Sequence, residues 1–407
     1  MMSKQFTQLA ILGATGSIGD STLDLVRLHA DKFAVYALSG FSQLDKLFAL
    51  CQEFRPKRVC VADIDKDKFA ARLHEAHLDI DVVAGQAGLC ELASDTAVDK
   101  VVAAIVGAAG LTSTLSAVRA GKTVLLANKE SLVMAGDLVM REAKRCHATI
   151  LPIDSEHNAI FQCLPMTVQA YNERIHEMDF GIESLWLTAS GGGFLYASFD
   201  EMQNATPSQA IKHPNWSMGQ KISIDSATMM NKGLELIEAC HLFDLSEDKV
   251  KVVIHPQSIV HSMVAYTDGS YLAQLGEPDM RTPIAHALAY PVRIDSGVKP
   301  LNLFEMANLE FIKPDTQKFA CLNLARHAMQ AGNGATIALN AANEIAVSAF
   351  LGEQICLTDI AVLVDKVLND GELTHNFGNR FDELDDIMAF DGRVRTVATA
   401  LLGSFDT

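Results

Sequence analysis

Paired cysteines are missing from this chain: its eight, at positions 51, 60, 90, 146, 163, 240, 321 and 356, are scattered and never form C-x-x-C. That spacing excludes a readable zinc cluster or disulfide framework and fits reduced, mostly buried thiols in a cytosolic protein. Positive charge is also in deficit, since 33 Lys and Arg face 50 Asp and Glu for a formal charge of −17. A field of that sign gives no general attraction to nucleic acid or an anionic membrane, so any anion site must be local. No apolar run reads as long enough to cross a bilayer, and MMSKQFTQLAILG holds too short a one for a signal peptide. Internal repeats and low-complexity tracts are absent too. What is present, 407 residues at 49% hydrophobic content, suffices for two or three domains with full cores, and a soluble, cytoplasmic protein is expected.

The chain is organised around Ile153-Asp154-Ser155-Glu156-His157-Asn158. If residues 153 to 156 run extended, Asp154 and Glu156 face one side, because strand side chains alternate. Two carboxylates in one small volume repel unless a cation stands between them. The competing explanation is an acidic helix cap. Upstream, the strand at 8 to 12 meets Gly13-Ala14-Thr15-Gly16-Ser17-Ile18-Gly19 and then a helix from Ser21 to Leu28. Strand, glycine turn and helix make the dinucleotide-binding arrangement, in which helix N–H groups meet a pyrophosphate. A glycine-rich turn without ligand is the alternative.

The second strand, 33 to 38, ends in Ser39-Gly40-Phe41-Ser42-Gln43, with no acid for an adenine ribose and no base nearer than Lys46. The missing acid leaves room for a 2′-phosphate and leans towards NADP. Further apolar segments at 58 to 62, 80 to 84, 101 to 106, 123 to 127 and 149 to 153 alternate with helical patterns, as a doubly wound parallel sheet requires. Asn128-Lys129-Glu130-Ser131 follows the strand at 123 to 127, where ligands gather in such sheets, although a capped helix with a solvated lysine reads equally well.

Beyond Glu156, the strand at 185 to 188 leads to Ser190-Gly191-Gly192-Gly193, a loop able to close on phosphate or to act as a lid hinge. Residues 213 to 239 crowd polar groups, including His213, Trp216, Lys221, Asp225, Ser226, Asn231, Lys232 and Glu235. A helix from about Ala227 would place Asn231 and Glu235 on one face, with Ser226 near its N-terminus where a phosphate is favoured. The plain alternative is a capped surface helix. Residues 250 to 275 read as three strands with a hairpin at Thr267-Asp268-Gly269, His255 and His261 on them read as structural, a helix spans 279 to 289, and four helical patterns run from Thr316 to Leu402.

The motifs GATGSIG, ANKES, DSEHNAIFQ, HPNWSMG, DSATMMNKGLE, HPQSIVHSMV, LGEPDMRTPIAHAL and ALNAANE run through nearly the whole chain. In them it resembles the 1-deoxy-D-xylulose 5-phosphate reductoisomerases. The resemblance implies an α/β fold in three parts: a Rossmann-like NADPH-binding domain at 1–153, a central catalytic domain with a flap at 154–291, and, after a linker at 292–315, a helical domain at 316–407. It implies cofactor contacts at Thr15, Gly16, Ser17, Ile18, Gly40, Asn128, Glu130 and Gly219, and a Mg²⁺ or Mn²⁺ ion on Asp154, Glu156 and Glu235. Lys129, Ser155 and Glu156 match residues around the substrate's carbonyl and hydroxyls; Ser190, His213, Ser226, Asn231 and Lys232 match those holding chiefly its phosphate. Trp216 falls in the flap, and Lys129, Asp154, Glu156 and Glu235 form the catalytic group. The implied reaction is a retro-aldol cleavage and re-addition followed by hydride reduction, with the ion acting as Lewis acid. A homodimer is implied as well. Departures from the family pattern are the absence of a base in loop 40–43 and SGGGF in place of the commoner SGGPF, which frees the loop from proline's fixed φ. Two other readings compete: an NADP-dependent dehydrogenase without rearrangement, and a non-catalytic nucleotide-sensing module.

Overall fold

A computed structural model describes residues 6–165, 180–212, 216, 219–306 and 308–405. The chain packs into two compact units, one built from Met1–Ser131, Val139–Asn158 and Asp279–Lys299, the other from Leu132–Leu138, Ala159–Pro278 and Pro300–Thr407.

The first unit is a parallel sheet of seven strands: β1 (Thr7–Leu12), β2 (Phe33–Ser39), β3 (Arg58–Val61), β4 (Asp81–Ala84), β5 (Lys100–Ala103), β6 (Thr123–Leu126) and β7 (Thr149–Pro152). Their order is β4-β3-β2-β1-β5-β6-β7. Leu9 to Leu12, Val101, Val102 and Val124 to Leu126 have no exposed surface, as strands covered on both faces demand. The order reverses at β1, which puts the topological switch point at the end of the strand carrying the glycine turn. Helices α1 (Ser17–Leu28), α2 (Leu44–Phe54), α3 (Lys66–Glu75), α4 (Gly85–Ser94), α5 (Leu111–Arg119), α6 (Lys129–Cys146) and α7 (Ser155–Cys163) follow the strands in turn. Helix α1 starts at Ser17 rather than Ser21, because Gly16 itself is the N-cap. Helix α6 breaks its own dihedrals at Ala135 (φ −137°, ψ 27°). The helix Arg281–Ala289 also belongs here, and its His286 Nδ1 takes a hydrogen bond of 3.2 Å from Asn158 Nδ2, which also donates to the Pro152 carbonyl at 2.9 Å. Burial, helped by the charge of Arg293, pushes the His286 imidazole down to about 4.

The second unit holds a mixed sheet of β8 (Ile182–Ala189), β9 (Val250–Ile254), β10 (Val260–Tyr266) and β11 (Tyr271–Leu275) in the order β11-β10-β8-β9. Strands β10 and β11 form the expected hairpin, turning at Gly269 with φ +86°. Before the hairpin come α8 (Gln220–Ala227) and α9 (Met230–Phe243); after it come α10 (Ala320–Ala331), α11 (Asn333–Leu351), α12 (Asp359–Leu368) and α13 (Leu384–Leu402), which realise the four helical patterns. One expectation needs correcting. By length and composition α11 could cross a membrane, but it is the core helix of this unit, with 78% of its apolar window buried. All eight cysteines are free, and burial pushes the thiols of Cys51, Cys60, Cys240 and Cys321 up to about 12, so they stay protonated and inert.

Candidate active site

In the first unit the glycine turn leaves the buried strand β1 with Thr15 buried and Gly16 and Ser17 exposed at the start of α1. Gly16 caps α1 without a side chain, leaving the first-turn N–H groups open to an anion. Gly19 permits the close approach of helix and turn, since a Cβ there would lie 2.3 Å from the Ala14 carbonyl oxygen. Gly40, at the end of β2, touches Thr15. Lys46 donates to the Thr15 carbonyl at 2.9 Å and pairs with Asp20 at 2.7 Å. The cation nearest to loop 40–43 therefore stands beside the turn.

At the end of β6, Asn128 caps α6: its Oδ1 accepts from the Ser131 N–H at 2.8 Å while its Nδ2 donates to the carbonyls of Ile105 and Gly107. Lys129 is not solvated. It is 6% exposed, and its Nζ lies 2.6 Å from Asp154 Oδ2. Glu130 beside it is buried too. Around Asp154 the extended reading fails, because the strand ends at Pro152 and α7 starts at Ser155. The Asp154 carbonyl accepts from the Asn158 N–H at 2.9 Å, so Asp154 stands at the helix cap and Glu156 in the first turn. Ser155 Oγ donates to Glu156 Oε2 at 2.7 Å. The cap reading was right about local structure, and it leaves the two carboxylates at one helix start, where the dipole favours negative charge.

In the second unit Ser190 follows β8, and its Oγ accepts from the Gly192 N–H at 3.2 Å. Gly192 (φ +66°) lies against the last turn of α8, where a Cβ would meet the Ser226 carbonyl oxygen at 2.6 Å. The fold thereby joins the Ser190 loop to Ser226. The expected helix from Ala227 is instead two helices separated at Met229 (φ +59°), and Ser226 belongs to the final turn of the first rather than the N-terminus of the second. Asn231 and Lys232 lie in the first turn of α9, and both donate to Glu235, which is 1% exposed. Gly219, exposed, caps α8. His213 lies outside the described residues. The Trp216 ring is 6.2 Å from that of His261, which is buried on β10. His255 is structural as expected, with Nδ1 at 2.8 Å from the Glu310 carbonyl and its ring stacked on Phe311.

Sequence reasoning missed the supports behind these groups. Asp225, 1% exposed, takes a hydrogen bond from Asn343 Nδ2 at 2.8 Å and pairs with Lys221 at 2.8 Å. Lys318 donates to three carbonyls of residues 194 to 197. Neither tie has a motif, because one partner is backbone and the other is far along the chain.

A parallel sheet reversing at its glycine turn, with a buried lysine–carboxylate pair beside a strand end, is the arrangement of the α/β dinucleotide-binding class. Family models for 1-deoxy-D-xylulose 5-phosphate reductoisomerase match residues 9–136, its C-terminal domain 150–243, and the DXP reductoisomerase C-terminal domain 275–397. The chain belongs to the 1-deoxy-D-xylulose 5-phosphate reductoisomerase family. It is 64% identical over 388 residues to the reductoisomerase of Psychrobacter cryohalolentis, covering 95% of this chain and 96% of that one. A solved DOX-P reductoisomerase in complex with NADPH, fosmidomycin and magnesium superposes with a TM-score of 0.96 at 60% identity, covering 98% of each chain. The Zymomonas mobilis enzyme in complex with NADPH superposes at 0.87 with 43% identity, covering 98% of this chain and 99% of that one.

Proposed function

We propose that this protein converts 1-deoxy-D-xylulose 5-phosphate to 2-C-methyl-D-erythritol 4-phosphate, by retro-aldol and aldol rearrangement and reduction with NADPH, in non-mevalonate isoprenoid biosynthesis. The observation that carries the reading is the alignment, along nearly the whole chain, with solved family members that bind NADPH and magnesium. In functional terms residues 1–153 are the NADPH domain, 154–291 the catalytic domain, 292–315 a linker and 316–407 the helical domain.

Thr15, Gly16, Ser17 and Ile18 receive the pyrophosphate at the α1 N-terminus, with Gly40, Asn128, Glu130 and Gly219 completing the cofactor contacts. Lys46, held beside the turn, is the cation available to a 2′-phosphate. Asp154, Glu156 and Glu235 are the proposed ligands of the divalent ion. An all-oxygen donor set suits Mg²⁺ or Mn²⁺, and the lysine partners of Asp154 and Glu235 already compensate the charge of those two carboxylates. When bound, such an ion supplies Lewis-acid polarisation of the substrate's oxygens. Lys129 moves or holds protons at those oxygens, and Ser155 and Glu156 orient the hydroxyls. Ser190, Ser226, Asn231, Lys232 and His213 grip the phosphate, so that binding energy remote from the reacting carbons fixes their orientation. Trp216 excludes water from the site during reduction.

A cytoplasmic homodimer is part of the same reading. Strand β11 is an edge strand, with Tyr271 at 54%, Leu272 at 50% and Leu275 at 38% exposed. An open apolar edge is a ready partner for a second copy. The deciding experiment follows NADPH consumption with the xylulose phosphate, with and without chelator, and identifies the product by NMR. Chelator-sensitive consumption yielding a branched polyol phosphate is expected; a linear product, or consumption indifferent to chelator, would overturn the reading.

A further inference from the structure

The three glycines after Ser190 give the loop little conformational resistance of its own, and Gly191 and Gly192 both hold left-handed backbone. Beyond its own Ala197 N–H to Phe194 carbonyl bond of 3.1 Å, the loop is held from outside. Lys318 Nζ donates to the Phe194 carbonyl at 2.7 Å, to the Leu195 carbonyl at 3.0 Å and to the Ala197 carbonyl. An ammonium has three donors, and here all three are spent on one short turn. The lysine is itself anchored: Asp315 Oδ1 accepts from the N–H groups of Gln317 and Lys318, and the next residue, Phe319, is buried. On its other side the loop rests on the Ser226 carbonyl through Gly192. Held by Lys318 on one side and packed on Ser226 on the other, the loop presents the Ser190 hydroxyl with its Oγ accepting from the Gly192 N–H at 3.2 Å.

We propose that Lys318 is a positioning residue for phosphate binding, pinning the carbonyls of residues 194, 195 and 197 so that Ser190 and the N–H groups beside it are preorganised for the substrate's phosphate. The proposal rests on the reading of Ser190 as a phosphate ligand. Lys318 acts through the loop and takes no part in the chemistry. Removing the ammonium takes that donor from three carbonyls, of which Phe194's keeps the Ala197 N–H at 3.1 Å, and leaves the glycines freer to relax, so the cost falls on phosphate affinity rather than on carbon chemistry.

The test uses the full-length protein with NADPH and Mg²⁺ and compares the phosphorylated ketose with its dephosphorylated form, 1-deoxy-D-xylulose, with inorganic phosphate as a competing probe. In Lys318→Met, KM for the phosphorylated substrate and Ki for inorganic phosphate should rise about tenfold, the scale of one lost charge-assisted contact. The dephosphorylated ketose should keep kcat/KM within about twofold of wild type, because no phosphate is there to misplace. Lys318→Arg, which keeps charge and donors, should restore most of the phosphate affinity. If Lys318→Met does not accumulate as folded protein, Lys318→Gln takes its place with the same expectations. Unchanged KM and Ki would overturn the proposal, as would an equal loss with both substrates. Ser190→Ala separates the two levels: if it leaves phosphate binding intact, the ligand reading has failed, whereas weakened binding in Ser190→Ala alone rejects the role of Lys318.

Discussion

Replacing Gly192 by Ala tests whether loop and helix are joined as tightly as described. The residue has φ +66°, and left-handed backbone costs an L-residue about 1–2 kcal/mol. Its new methyl would lie 2.6 Å from the Ser226 carbonyl oxygen and 3.2 Å from Ala227 Cα, both backbone of α8. That turn cannot step aside cheaply, because Asn343 holds the neighbouring Asp225 from the core helix α11. Overpacking of this kind adds about 1–3 kcal/mol, for a total of about 2–5 kcal/mol. Gly269 supplies the control: its φ is +86°, but nothing lies within 4 Å of a Cβ, so Gly269→Ala should cost only the backbone term, about 1–2 kcal/mol. Urea unfolding of both variants measures the difference, and initial rates measure its consequence, with KM for the phosphorylated substrate rising about tenfold in Gly192→Ala alone. Equal destabilisation of the two variants would refute the packing argument. A destabilised Gly192→Ala with wild-type KM would refute the link from loop to phosphate.

Glu235→Gln keeps shape but removes the charge that Lys232 and Asn231 surround; Mn²⁺ affinity and turnover should each fall about 10- to 100-fold, and near-normal values of both would remove Glu235 from the ligand set. His286 contributes a pH dependence whose sign follows from its depressed value: the unfolded imidazole takes up a proton near 6.5 and the folded one only near 4. Stability is therefore complete above about pH 6.5 and declines as pH falls towards 4, by about 2 kcal/mol at pH 5, and His286→Gln should flatten that slope in urea unfolding at pH 7.5 and 5. Leu272→Lys on the edge strand should shift sedimentation from dimer to monomer, and an unchanged dimer would place the interface elsewhere.

The parallel sheet was legible because its strands are short apolar runs bounded by turn residues, and burial on both faces leaves that mark in composition. Boundaries were legible where a residue type enforces them, as at Gly269. They were misread where two structures share one hydrophobic pattern: the apolar stripe through Met230 and Leu234 gives no sign that Met229 adopts left-handed backbone and splits α8 from α9. At Asp154 the period-two argument assumed that the strand continued, and Ser155 starting α7 ended it; the carboxylates were found for their residue types, not for the geometry first assigned to them. Asn343 and Lys318 could not be read at all. One is a core-helix amide whose partner is 118 positions away, and the other satisfies main-chain oxygens that carry no side-chain signature.

Strand β8 is an interior member of its sheet, bonded to β10 on one side and β9 on the other, and Ser190 is the residue after its end. The source of order therefore changes within three positions, from a strand tethered along both flanks to a glycine bend held by an ammonium and packed on a carbonyl. Loss of either outside restraint should therefore loosen the bend while the strand end stays in place, so any change in ligand tolerance should be confined to the bend's side of Ser190.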